Sequence, residues 1–467
     1  MSIIASSEAN QESNSPSSGW HLPPLNYPRL LRPGTDWRRA PQRAWQHARN
    51  GLAPPPRDRV EDHNAWLLVA EMVWSAILGA AVSFNSAYVV RLGGSNSLVG
   101  LLNSGPALMT ILLTMPAARL MEWRGSRKAW VVWSILLQRM LYLPVALLPF
   151  FVQEKRAEVF VALFLLRQLF LAPNHAGWNA FYADLLPGRR RIEVLARRRI
   201  VDAAILVVAV PLVGELLDKL AFPYGYQIAY GIAFVAGMMS VAVLLRLQPP
   251  QAPASAPSPS VASARPRFSL RRTVAETPPF FRYTAIRAVY NLGMSLAQPL
   301  YIIYFVRVLG ASDAWLGFRL SVGNVAILLG YSIWPRIVDR YGDLRVMRWI
   351  APVIALYPLG VALARDLNMI VAIIALMSLV TPATNLTFFN TSINVCPPDR
   401  RTSYLSFYTT AINVTGFIGP LLGVALADAI GVAGALMIAA GIRMVGGILF
   451  SLFPLEKAGP LPGSLED

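Results

Sequence analysis

The chain repeats itself. Asn179, Pro187, Arg189 and Arg190, in the stretch WNAFYADLLPGRRRIEVLARRRI at 178–200, recur at the same mutual spacing as Asn390, Pro398, Arg400 and Arg401, an offset of 211 positions. Three more pairs follow the same order. SNSLVG at 95–100 answers SDAWLG at 312–317, and LMEWRGSRK at 120–128 answers IVDRYGDLR at 337–345, both offset by 217; PLVG at 211–214 answers PLLG at 420–423, offset by 209. Offsets that change only across loops are what a duplication followed by loop trimming leaves. A repeat of about half the chain restricts the fold to two similar units in tandem.

Composition says what kind of unit. Hydrophobic residues make up 55% of the 467 and charged residues 14%, a balance that fits a membrane protein. The net charge of +17 does not point to nucleic acid, because the cations gather in short loops between apolar runs. One cysteine, Cys396, and four scattered histidines leave no disulfide and no metal-ligand spacing, so neither metal nor other cofactor is expected. No phosphate-binding loop, nucleophile elbow or catalytic carboxylate pair is present, so an enzyme is not expected.

A helix needs about 20 mostly apolar residues to cross a hydrocarbon core. Twelve such runs stand out, at about 65–90, 97–118, 129–151, 157–182, 199–217 and 226–247, then 280–307, 314–335, 346–364, 367–394, 402–427 and 431–453. The expected domains are a disordered cytoplasmic arm at 1–63, a six-helix bundle at 64–247, a Pro/Ala/Ser linker at 248–279, a second bundle at 280–455 and a tail at 456–467. Arginines and lysines follow runs 2, 4, 8 and 10 and fill the linker. That bias puts both termini on the cytoplasmic side of the inner (plasma) membrane. The fold class is therefore all-α and integral to the membrane, with twelve transmembrane helices in two six-helix halves.

The loop after run 8, with Asp339, Arg340, Gly342 and Arg345, resembles the signature loop of the major facilitator superfamily, and Glu122, Gly125, Arg127 and Lys128 match it more loosely in the first half. The departures are Pro335 and Ala118 at the family's first glycine, and Trp123 in place of its arginine. GFIGPLLG at 416–423 resembles the glycine-proline motif that antiporters carry on helix 5, but here it lies on helix 11. The WNAFYADLLPGRRR wording is similar to that of prokaryotic members whose cargo it does not reveal. The resemblance implies a pseudo-two-fold axis along the membrane normal. It also implies a cavity lined by helices 1, 4, 7 and 10, and an interface of helices 2, 5, 8 and 11.

Polar residues in hydrocarbon are costly and usually face a cavity or the bundle interior. Their distribution nominates a substrate cavity of Glu71, Ser75, Asn85, Gln168, His175, Trp178, Arg287, Asn291, Gln298, Tyr301 and Asn385. The expected cytoplasmic gate comprises Glu122, Arg127, Lys128, Asn179, Asp184, Asp339, Arg340, Arg345 and Asn390. Glu71 reads either as a proton or substrate-cation site or as half of a structural ion pair with an arginine such as Arg139 or Arg287. Pro173 and Pro382 are expected to kink helices 4 and 10, and Arg139 and Arg443 to turn inward or snorkel.

The leading function is secondary transport of a small organic solute by alternating access, with a proton as a candidate coupling ion. The partners are that solute and the bilayer, and the chain is expected to act as a monomer. Two alternatives stay open: a non-transporting receptor, scaffold or assembly factor that docks a partner on the Trp/Arg-rich arm, and a carrier of a lipid-linked substrate.

Overall fold

The computed structural model describes residues 60–123, 127–248, 277–397 and 400–453. The arm over 1–59, most of the linker and the tail lie outside them. Twelve helical spans run in order. They are α1 (Val60–Val82, resumed as Asn85–Arg91), α2 (Asn96–Trp123), α3 (Arg127–Met140 and Tyr142–Phe151), α4 (Arg156–Leu185), α5 (Gly188–Lys219) and α6 (Tyr224–Leu245). Then come α7 (Pro278–Ile303, ending in the π-helical turn Tyr304–Val308), α8 (Asp313–Tyr341), α9 (Asp343–Leu363), α10 (Leu367–Asn394), α11 (Arg401–Ile430) and α12 (Val432–Leu452). Eleven are long and apolar enough to cross a membrane. The twelfth is α4, whose side chains at 172–177 lie outside the described residues.

The duplication is visible in the packing. In the first half α1 lies on α5 and α6, α4 on α2 and α3, and α3 on α6; in the second half α7 lies on α11 and α12, α10 on α8 and α9, and α9 on α12. Each pair in one list is the other's counterpart six helices on. The halves meet through α2 on α11 and α5 on α8, which two-fold symmetry also interchanges. Asn64 near the start of α1 exchanges hydrogen bonds with Gln248 just beyond α6, so the first half begins and ends at one face of the bundle.

Close approach of backbones explains both contacts between halves. A Cβ on Gly317 of α8 would meet Val210 O of α5 at 2.8 Å, and one on Gly100 of α2 would meet Val424 of α11 at 2.8 Å and Pro420 O at 3.3 Å. Gly100 and Gly317 end the SNSLVG and SDAWLG copies. Their neighbours Pro211 and Pro420 begin PLVG and PLLG. In lipid, where apolar side chains gain little by leaving their surroundings, such close van der Waals contact is a main source of helix association.

Some boundaries differ from the sequence reading. The arginines at 189–191 and 197–199 were expected in a loop, but α5 begins at Gly188 and carries them all on helix. Arginine is a good helix former, and Pro187 at the N-cap, with its φ preset, starts the helix ahead of the apolar run. Residues 60–63, assigned to the arm, form the first turn of α1. Helix α10 continues through Pro382, which packs against Gly330 of α8.

The Gly317 contact makes a test. Gly317→Ala forces the α5 and α8 backbones apart and lowers the thermal unfolding midpoint by the equivalent of about 1–3 kcal/mol. Gly441→Ala, where a new Cβ meets nothing within 4 Å, leaves the midpoint unchanged or raises it.

Candidate functional site

Every hydrogen bond and ion pair described between the halves lies toward the end opposite the arginine-rich loops. They come in two-fold-related sets. Arg91, at the end of α1, donates to Ala311 O at 2.8 Å and lies 3.5 Å from the Asp313 carboxylate. Arg307, in the π-helical turn of α7, donates to Gly94 O and, at 2.6 Å, to Asn96 Oδ1. Ala311 and Asp313 stand 217 positions after Gly94 and Asn96, so the two arginines reach equivalent places on each other's half. Asp218, at the end of α5, accepts from the Asp313 and Ala314 amides at 2.8 Å each, at the N-terminus of α8. Its counterpart Asp428, at the end of α11, accepts from Asn96 Nδ2 at 2.5 Å, in the first turn of α2. A carboxylate at a helix N-terminus meets orphan amides and the positive end of the helix dipole. Deeper in, Ser321 donates to Val207 O at 2.8 Å.

The arginine-rich ends are tied within their own halves. Lys128, expected in the gate, donates to Leu245 O and Leu247 O and so caps α6. Arg190 pairs with Glu61 and Asp62 of α1, and Asn390 donates to Asp343 at 2.8 Å. Asp184, Asp339, Arg340 and Arg345 are exposed, with Arg340 over the Tyr341 ring. The side chains of Glu122, Arg127 and Asn179 lie outside the described residues, as do those of Pro173 and His175.

Among the cavity candidates, the structure assembles one cluster in each half. In the first, buried Glu71 accepts from Ser75 Oγ and, at 2.8 Å, from Ser240 Oγ of α6. Its other oxygen lies 2.8 Å from Arg198 of α5, whose guanidinium also lies over Trp178. Arg139 turns inward and donates to Ser75 at 2.9 Å. The principal partner of Glu71 is therefore Arg198, which sequence reasoning had placed in a loop, rather than Arg139 or Arg287. In the second cluster Arg287 lies over Phe388 of α10, 4.4 Å from its ring centre, and near Tyr290. Asn291 donates to Thr415 Oγ1 at 2.8 Å and Ile412 O at 3.2 Å on α11.

The remaining candidates scatter. Asn85 is buried and accepts from Tyr230 at 2.7 Å, beside a cavity of about 10 Å³ that Arg167 and Tyr142 help to line. Tyr301 turns toward Tyr357 of α9, Gln168 is buried, and Gln298 and Asn385 are exposed. The clasp between the halves was missed altogether; its sequence signal was present in the SNSLVG and SDAWLG copies, which contain Asn96 and Asp313. No group of three metal-ligating side chains occurs among the described residues.

A family model described as Major Facilitator Superfamily matches residues 67–396 and 288–466. The chain belongs to the Major Facilitator Superfamily. It is thus a multi-pass membrane protein of a transporter family. Among solved structures it is similar to a mutant of the nucleoside transporter NupG (TM-score 0.65, 14% identity, covering 83% of this chain and 99% of that one). It is also similar to a bacterial homologue of the iron transporter ferroportin in an inward-facing state (0.64, 15%, 85% and 99%). A third likeness is to a bacterial homologue of the human lysosomal transporter Spinster, inward-facing and occupied (0.61, 13%, 85% and 98%). These likenesses concern the fold. No curated protein matches the sequence.

Two tests follow from the site. Glu71→Gln leaves Arg198 without its carboxylate and costs about 3 kcal/mol of stability, read as a lower unfolding midpoint. Combining it with Arg198→Gln costs less than the two single changes added. Cys396, just past α10, donates to Ser392 O, and burial pushes its thiol from an ordinary value near 9 up to about 11. At pH 8 its reaction with a maleimide is then about two orders of magnitude slower than that of an exposed cysteine, and rises with pH toward 11.

Proposed function

We propose that this chain is a secondary active transporter of a small organic solute, described in a state open toward the cytoplasm. The observation that carries the reading is the duplicated clasp: among the described residues, the polar contacts between the halves lie at one end. The arginine-rich loops favour the cytoplasmic side by the positive-inside rule, which puts both termini there and the clasp outside, in the inner membrane. Alternating access then requires Arg91, Arg307, Asp218 and Asp428 to release as the opposite ends close. The two-fold relation of the contacts lets both sides of the clasp open in one rocking movement.

Glu71 is the candidate carrier of a coupling proton. Its carboxylate meets Arg198 and two hydroxyls. Arg198 rides on α5, one of the two helices of the first half at the interface, so rocking can part the pair. Proton uptake would in this way be tied to rocking.

The clasp supplies the test. Asp218→Asn with Asp428→Asn removes both carboxylates while keeping their volume. Because both are exposed, solvent screens them and their loss is worth about 1 kcal/mol, roughly a fivefold shift between states. Val210→Cys, buried against Gly317, should then react about fivefold faster with an impermeant maleimide added from outside, over the slow background of Cys396. Unchanged labelling together with absence of counterflow for any solute in proteoliposomes would reject the transporter reading.

A further inference from the structure

The charges inside the second half do not balance. Its spans carry aspartates only at or near their ends, at Asp313, Asp339, Asp343 and Asp428, and no glutamate. Yet Arg287, Arg319 and Arg443 lie within them. Arg443 is 7% exposed, in the middle of α12, and its guanidinium lies 4.9 Å from the Tyr290 ring centre. Arg287 lies 5.7 Å from the same ring and has one long hydrogen bond, 3.3 Å to Asn291. Arg319 lies over Phe305 at 4.9 Å. The Nε atoms of all three are buried without a hydrogen-bond partner among the described residues, and none of the three has an ion pair there.

Two guanidiniums over one tyrosine repel each other in surroundings that screen poorly. A cation–π contact returns about 2 kcal/mol at best, whereas desolvating an unpaired ion costs several. The first half shows the ordinary remedy, with Glu71 set against Arg198. Glu71 and Arg287 stand at nearly equivalent depth, about 15 Å from the starts of α1 and α7. At that level one half holds a fixed carboxylate and the other lacks one.

We propose that the missing carboxylate is brought by the cargo: the second half binds an organic carboxylate through Arg287. The guanidinium fork of Arg287 matches a planar carboxylate in two-point geometry. The buried rings of Phe388 and Tyr290 hold that guanidinium in place. Arg443, more deeply buried, acts as a positioning residue that raises the local positive potential. This inference names the substrate class for the transporter proposed above and rests on that reading for its movement, though binding itself does not require flux.

Benzoate is the probe, with benzamide and benzylammonium as its neutral and cationic analogues, each at the same ionic strength. In thermal unfolding of the purified full-length protein in detergent, benzoate raises the midpoint and the analogues do not, because a ligand of the folded state stabilises it by mass action. Arg287→Gln raises the midpoint of the ligand-free protein, since it removes an unpaired buried charge, and weakens the benzoate response at least tenfold. Arg287→Lys keeps part of that response, and Arg319→Gln, nearer the clasp, keeps all of it. An equal response to benzamide, a full response in Arg287→Gln, or the same rise when chloride at equal concentration replaces benzoate would overturn the proposal. Benzoate binding without benzoate counterflow in proteoliposomes would support the anion site and count against transport. Counterflow of a neutral solute with no benzoate binding would do the reverse.

Discussion

The contact on which the rest depends is the approach of backbone to backbone between α5 and α8 and, by symmetry, between α2 and α11. Helices in a bilayer gain little from hiding apolar side chains, so their association rests on fit. Gly317 and Gly100 make that fit possible, because a side chain there would overlap a carbonyl or a valine on the facing helix. Once the pairs are that close, the ends of α5 and α11 come within reach of the first turns of α8 and α2. Asp218 and Asp428 then find amide donors across the boundary. Packing sets the geometry and electrostatics completes it.

Both halves set an arginine on aromatic rings, as Arg167 over Phe164 shows in the first, but among the described residues the first alone places a carboxylate deep among its arginines. In the first, Glu71, Ser75, Ser240, Arg139 and Arg198 join four helices in one network. In the second, aromatic faces substitute for carboxylates around Arg287, Arg319 and Arg443. A duplicated scaffold thus gives similar backbones to two different interiors. That difference is where a solute can be told from its analogues, since a symmetric pair of interiors would offer one chemistry twice.

Much of the architecture could be read from the sequence, because hydropathy and loop charge report directly on which segments lie in lipid. The twelve runs correspond to the twelve spans, and two of the repeated words, SNSLVG/SDAWLG and PLVG/PLLG, turned out to be the interface. Side-chain partners were harder to read. Glu71 could be singled out as an interior carboxylate, but its partner Arg198 was hidden by the assumption that an arginine burst means a loop. Helical spacing placed Tyr301 beside Arg287 on one face, yet a helix surrounded by neighbours has no single inward side, and Tyr301 turns to Tyr357. Arg91 and Asp218 looked like ordinary loop charges. Nothing local distinguishes a charge facing water from one facing the other half.

The extension of α5 has a mechanical consequence. At 32 residues the helix is about 48 Å long, against a hydrocarbon thickness of about 30 Å, so its arginine-bearing start stands well clear of the acyl chains. It runs continuously from Gly188 to Lys219, with Val207 O, left free by Pro211, taken up by Ser321, and is seated at its far tip on the first turn of α8 through Asp218. A sideways push on its foot at the headgroups is delivered at that tip with the glycine contact as fulcrum, so the membrane surface itself has purchase on the lock at the other face.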